Sequence, residues 1–294
     1  MHRTMTAART AAHVLLASPA SAYREAQEAD IAVRAPLPVS RRVGFVQLAG
    51  GSGASAAAAA VAATFAARRS GVSLAVNASG GSAHILSRLP PDAADMRERV
   101  ETLPGTLRDA VHGLAFPLPR LAGLDLQRDD RPTTAVDASG WFDEVNPVSR
   151  FFDLVITDWG VRPVAGDLAM TAVASHVLCL VCRAERHALE EVIAVVPALR
   201  SEPDHPRIVV VSVDVGARGR HDARDAIARE VGVPLVGLPY DPAWSTSVPT
   251  PSRRLALASR RAVLRLASTV VTEAASSLPS RVDPAGAVPT EVVR

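Results

Sequence analysis

Lysine is absent from this chain. All 32 basic residues among its 294 positions are arginine, so no position supplies the compact ammonium charge that commonly grips a phosphate. A second copy of the same chain could not supply it either. Cysteine is nearly absent: only Cys179 and Cys182 occur, in "HVLCLVC". That run reads as a buried strand, where residues three apart face opposite sides, so the pair cannot share a metal or form a redox couple. Net charge is only +2, so global charge argues for no particular partner. No apolar run is long enough to span a membrane. The N-terminal "AAHVLLASPASA" is short and broken by His13, so a secretory signal is not expected. The expectation is a cytoplasmic protein, with peripheral contact to the inner membrane face left open.

What is present is a regular alternation. Short apolar runs occur at 43–49, 72–78, 153–159, 176–182, 207–213 and 233–239. They are nearly continuous in hydrophobicity, as strands covered on both faces are. Helical patterns fall between them, among them "ASAAAAAVAATFAARR" and "ERHALEEVIAVVPALR". The fold class expected is therefore α/β, a doubly wound, mostly parallel sheet with helices on both faces. The proline-punctuated stretch 84–150 is less regular and should add a strand near "HGLAFPLP". Residues 1–40 read as a flexible N-terminal segment, 41–277 as the folded domain and 278–294 as a disordered tail.

The first strand runs into "AGGSGASA", Ala49 to Ala56. Glycines before a helix let backbone N–H groups converge on a phosphate, lysine adds charge, and a Ser or Thr hydroxyl ligates magnesium. Gly50, Gly51, Gly53 and the hydroxyl of Ser55 are present, and Ala54 occupies the lysine position. A strand ending "VITDWG" places Asp158 where a second magnesium-directed group would stand. Each piece also has a plain structural reading. The glycines make a tight turn, Ser55 bonds backbone in the first helical turn, and Asp158 is a turn or cap carboxylate. Trp159 would then fill the crevice that a nucleotide would occupy.

The order of these motifs resembles the deviant Walker-A ATPases of the MinD/ParA class over roughly residues 43–275. That family's loop reads K-G-G-x-G-K-[ST]-[ST]. Ala49 stands at its signature lysine, which reaches across a nucleotide-sandwich dimer, and Ala54 at its P-loop lysine. Ser55 stands at the magnesium ligand and Ala56 at the second hydroxyl. Asn77 and Ser79 replace the two acids that end the family's second strand. "VVVSVDVG" lacks the Asn-Arg pair used for adenine, while "VPLVGLPYDPAW" is similar to the G-x-I-P-x-D segment near the base.

The resemblance implies a degenerate member, a pseudo-ATPase without ATP hydrolysis. It would position or scaffold components of cell division, of pilus or secretion machinery (as TadZ/CpaE-like proteins do) or of chromosome partitioning. The vestigial nucleotide site would comprise Gly50, Gly51, Gly53, Ser55 and Asp158. No catalytic residue, metal site or cofactor is expected, and any ATP–Mg²⁺ binding would be weak. One alternative is a working ATPase with a weakened loop. Another is an NAD(P)-dependent oxidoreductase, because Gly51, Gly53 and Ala56 also spell G-x-G-x-x-A, although Asn77 stands where the ribose-binding acid belongs.

The partners expected are a second copy of the chain and proteins of such an assembly. DNA or an anionic membrane is left open by the C-terminal helix, roughly 252–277. There Arg253, Arg254, Arg260, Arg261 and Arg265 share one arc, and Leu255, Val263, Leu266 and Val270 the other.

Overall fold

The structure, a computed structural model, describes residues 19–91, 103–127, 134–201, 205–216, 232–246 and 248–277. The tail expected over 278–294 lies outside these residues. Eight strands form one sheet. They are β1 (Arg41–Gln47), β2 (Ser73–Asn77), β3 (Ala115–Leu118), β4 (Leu121–Asp125), β5 (Leu154–Val161), β6 (Val177–Arg183), β7 (Arg207–Val213) and β8 (Leu235–Leu238). Their spatial order is β3-β4-β2-β5-β1-β6-β7-β8. Every pairing is parallel except β3 with β4, an antiparallel edge hairpin. The six anticipated apolar runs and the strand near "HGLAFPLP" are all in place; β4 is an addition. Its "LAGLD" is short and contains Gly123, so its pattern alone is weak.

Two cores sandwich the sheet, as near-continuous apolar strands require. On one face lie α2 (Ala54–Arg68) and the C-terminal α7 (Leu257–Ser276). On the other lie α4 (Ala138–Ser149), α5 (Asp167–Val173) and α6 (Arg186–Ser201). The short α3 (Leu107–Val111) precedes β3 and is closed by a capping box between Thr106 and Asp109. Cys179 belongs to the first core and Cys182 to the second, so the two thiols do face apart. Burial pushes the Cys179 thiol pKa well up, which leaves it inert.

The reading of residues 1–40 as flexible requires correction within its described part. Residues Pro19–Arg34 form helix α1, which packs along α7 and buries Val33 completely. The anchor is Arg69, itself 5% exposed. Its guanidinium donates to the Val33 and Ala35 carbonyls at 2.5 and 2.8 Å and to the Asp153 carboxylate at 2.5 and 3.2 Å. A cation on the free carbonyls at a helix C-terminus satisfies them and complements the helix dipole. Glu25 of α1 also pairs with Arg265 of α7 at 3.5 Å.

Candidate functional site

Parallel α/β sheets form their ligand crevice at the carboxyl ends of the strands. Here that edge gathers the turn after β1, the ends of β2 and β5, and the segment from Ser79 to Leu89. In the turn, Gly51 and Gly53 have φ of 75° and 90°, a conformation in which a side chain is strained. Gly53 is the N-cap of α2, and a Cβ there would lie 3.2 Å from Val213. Gly50 has neither constraint.

The turn partly satisfies itself. The Ser52 amide donates to the Gln47 side-chain oxygen at 3.2 Å, and the Ser52 hydroxyl to the Ala49 carbonyl at 2.9 Å. The guanidinium of Arg183, at the end of β6, lies over the loop: a Cβ on Gly51 would be 3.0 Å from its Nη2. Sequence reasoning missed this group, because Arg183 is 132 positions from Gly51 in sequence and only the β1–β6 pairing brings it close.

Asp158 is completely buried. One carboxylate oxygen accepts the Ile85 amide at 2.9 Å and the other the Gly160 amide at 3.1 Å. The Ser55 hydroxyl also bonds to it and lies 3.2 Å from the Ala83 carbonyl, to which it can donate. The fold thus does bring Ser55 and Asp158 together, but a third element, the 79–89 segment, sits on them. Desolvation raises the Asp158 pKa above the ordinary carboxylate value, against the pull of the Ser55, Gly160 and Ile85 hydrogen bonds and the nearby His84.

Asn77 and Ser79 form a closed polar network at the end of β2. Asn77 donates to Asp125 at 2.8 Å and accepts the amide and hydroxyl of Ser79 at 3.1 and 2.8 Å. Gln127 ties the Ser79 carbonyl to that of Thr134 at 2.7 and 2.8 Å. Asn77 and Ser79 are thus satisfied by each other and by the Asp125 carboxylate.

Trp159 does not fill the crevice. Its neighbour Asp158 points to the α2 side, so the indole points to the opposite face, where it is buried against Trp141 with ring centroids 5.7 Å apart. The register between β1 and β5 skips it, pairing Phe45 with Asp158 and Val46 with Gly160. The buried Arg162 covers the indole at 5.2 Å and donates to the Trp159, Ala78 and Val136 carbonyls. What closes the crevice over Asp158 is backbone from 79–89, not an aromatic ring.

The strand order excludes the dinucleotide reading. A dinucleotide-binding sheet runs 3-2-1-4-5-6, with the first two strands adjacent. Here β5 separates β1 from β2, so Gly51, Gly53 and Ala56 do not open that kind of crevice. Among the described residues no three His, Cys, Asp or Glu side chains could hold a metal together, and no helix is long and apolar enough to cross a membrane. His176 is a core residue whose Nδ1 accepts the Arg42 amide at 2.9 Å.

Near the base position of the resemblance, Asp241 holds a strap. It accepts the amides of Ala243 at 3.0 Å and Ala256 at 2.8 Å, fixing the segment between β8 and α7. Desolvation would raise its pKa, but the hydroxyl of Ser259 and these two amides outweigh it, and the net shift is downward. Leu255, Val263, Leu266 and Val270 are buried beneath α7 and the turn before it, as their arc implied.

No protein-family model matches the chain, and no curated protein is significantly similar to it. Solved structures do share its fold. A ParA family ATPase from Chlorobium tepidum is 20% identical, with 81% of this chain and 98% of that one covered at a TM-score of 0.54. The septum site-determining protein MinD from Pyrococcus horikoshii, complexed with Mg-ADP, is 17% identical, with 78% and 95% covered at 0.59. A chain of the MinC:MinD cell division protein complex from Aquifex aeolicus is 13% identical, with 82% of this chain and 98% of that one covered at a TM-score of 0.56.

Proposed function

We propose that this chain, which carries the MinD/ParA fold, is a non-hydrolysing member of that structural group that acts through protein contacts as a positioning or scaffolding factor. The observation that supports this most is the state of Asp158. Both of its oxygens are engaged by backbone amides, and the Ser55 hydroxyl is turned between it and a carbonyl. A magnesium–nucleotide does not fit this donor set. The carboxylate is enclosed, Ala49 and Ala54 offer no charge, and Asn77 and Ser79 are committed to each other. Such a protein keeps the frame and its surfaces while losing the chemistry. Its partners would be a second copy of the chain and proteins of a division, pilus, secretion or partitioning assembly, as MinD stands with MinC in one structural neighbour.

The test is ATP turnover by the full-length protein beside its Asp158→Ala variant. Equal background rates are expected. Turnover that vanishes in the variant would overturn the proposal, because a contaminant would not respond to Asp158.

A second reading rests on Arg183. A guanidinium against the glycine turn is a bidentate phosphate donor, so the loop would retain weak affinity for a phosphorylated ligand without magnesium. In this case pyrophosphate should bind equally well with or without chelator and lose affinity in Arg183→Ala. Binding that requires magnesium would argue for the intact-ATPase alternative instead.

A further inference from the structure

A second concavity lies along the outer side of α2, beneath the strap that follows β8, and its volume is about 510 Å³. That is within the range of small-molecule sites, roughly 300–1,000 Å³. Its floor is small because α2 presents Ala56, Ala60 and Ala63 outward. Its walls are Leu118 of the edge hairpin and Leu264 of α7, and its roof is the strap that carries Trp244. Asp241 fixes that strap at both ends, through Ala243 and Ala256, so the roof is built into the fold.

The described charged residues that line this apolar chamber are arginines, with the Asp158 carboxylate close enough to Arg88 to act on its charge. Arg68, Arg88, Arg120 and Arg260 line it, and among the described residues no acidic one does. Arg68 is engaged with Asp30 of α1. Arg88 is not fully used: its Nη1 makes only long bonds to the Trp244 and Thr246 carbonyls, at 3.4 and 3.3 Å. Its Nε is buried without a hydrogen-bond partner among the described residues, a condition that costs free energy unless a ligand or water relieves it. Arg120 sits after Pro119 at φ 65°, the position of a tight turn where glycine or asparagine is favoured. Its guanidinium donates to the Ala66 carbonyl near the C-terminal end of α2 at 3.2 and 3.4 Å, so Arg120 ties the edge hairpin to α2 at the rim of the chamber.

We propose that this chamber binds a single-chain amphipathic anion, its apolar body between α2, Leu118 and Trp244 and its phosphate or carboxylate head on Arg88 and Arg260. An all-arginine rim selects a head that accepts bidentate hydrogen bonds, and the alanine floor leaves room for an unbranched chain. The chamber borders Ala56, the last residue of the glycine-turn motif, and the strap after β8, and an occupant there requires no nucleotide in the turn. Arg88 belongs to the same short segment whose Ile85 amide caps Asp158, so an occupant would also stiffen the cover over the crevice.

The experiment is calorimetric titration of the full-length protein with dodecyl phosphate below its micelle concentration, read in parallel by tryptophan emission. One saturable site is expected. Dodecanol and dodecyltrimethylammonium should bind at least tenfold more weakly. Arg88→Gln and the exposed-site variant Arg260→Gln should each weaken binding about tenfold, Ala63→Phe should abolish it, and Arg261→Gln should leave it unchanged. Equal affinity for dodecanol, or an affinity indifferent to Arg260→Gln and Ala63→Phe in folded protein, would overturn the proposal. So would sedimentation with phosphatidylglycerol vesicles without saturable binding of the monomeric amphiphile, which would assign these arginines to a membrane surface.

Discussion

Ile85 donates its backbone N–H to the buried carboxylate of Asp158 at 2.9 Å, across 73 positions of sequence. The contact joins the segment after β2 to the end of β5 and shuts the space between them. It has a measurable consequence in pH. Burial raises the folded pKa of Asp158 above its ordinary 3.8. Its favourable contribution is therefore complete below that unfolded value and is lost as pH rises through the raised folded one. The stability advantage of the wild type over Asp158→Ala should be larger near pH 4 than near pH 8. Chemical denaturation at the two values checks this, and a constant difference would mean that the carboxylate is not desolvated.

The same closure predicts indifference to nucleotide. A ligand stabilises a fold only as far as it binds the native state. With Asp158 capped and the Ser52 amide turned to Gln47, melts with and without millimolar ATP–Mg²⁺ should coincide. A rise of several degrees would show that the turn still receives a nucleotide.

Asp241 should behave in the opposite sense to Asp158. Its folded pKa is lowered, so its contribution is present above the unfolded value and is lost as pH falls through the folded one. Asp241→Ala removes the acceptor for Ala243 and Ala256 and should cost about 1–3 kcal/mol at neutral pH. The penalty should shrink below pH 3. Thermal melts across that range decide it, and a penalty unchanged by acid would assign the effect to packing.

Association is the fourth expectation. The turn exposes Ala49, Gly50 and Gly51, small residues that allow close approach of a second chain. Without lysines reaching across to nucleotides, a dimer through this face should form constitutively. Light scattering should give one oligomeric state that ATP, ADP or chelator does not change, and Ala49→Arg should shift it to monomer. Ala49 is the better probe than Gly51, whose φ of 75° would strain any side chain. A wild-type monomer at tens of micromolar would refute the dimer.

The local pattern of the sequence was enough for most of the sheet and its cover. Apolar runs of strand length, helical periods between them and a glycine turn before Ala54 are short-range signals, and they were legible where they stand, whereas the short β4 and helix α1 were not. The missing charges were legible for the same reason: Ala49, Ala54, Asn77 and Ser79 need no partner to be recognised as uncharged. Tertiary structure decided what replaced those charges. Arg183 meets Gly51 only because β6 lies beside β1, and Ile85 caps Asp158 only because β5 separates β2 from β1. Which face Trp159 takes followed from the alternation of β5 and its register against β1, and helix α1 was held by the buried Arg69. Contacts between distant segments depend on strand order and on the direction in which side chains leave the sheet, and neither is encoded in any short window of residues.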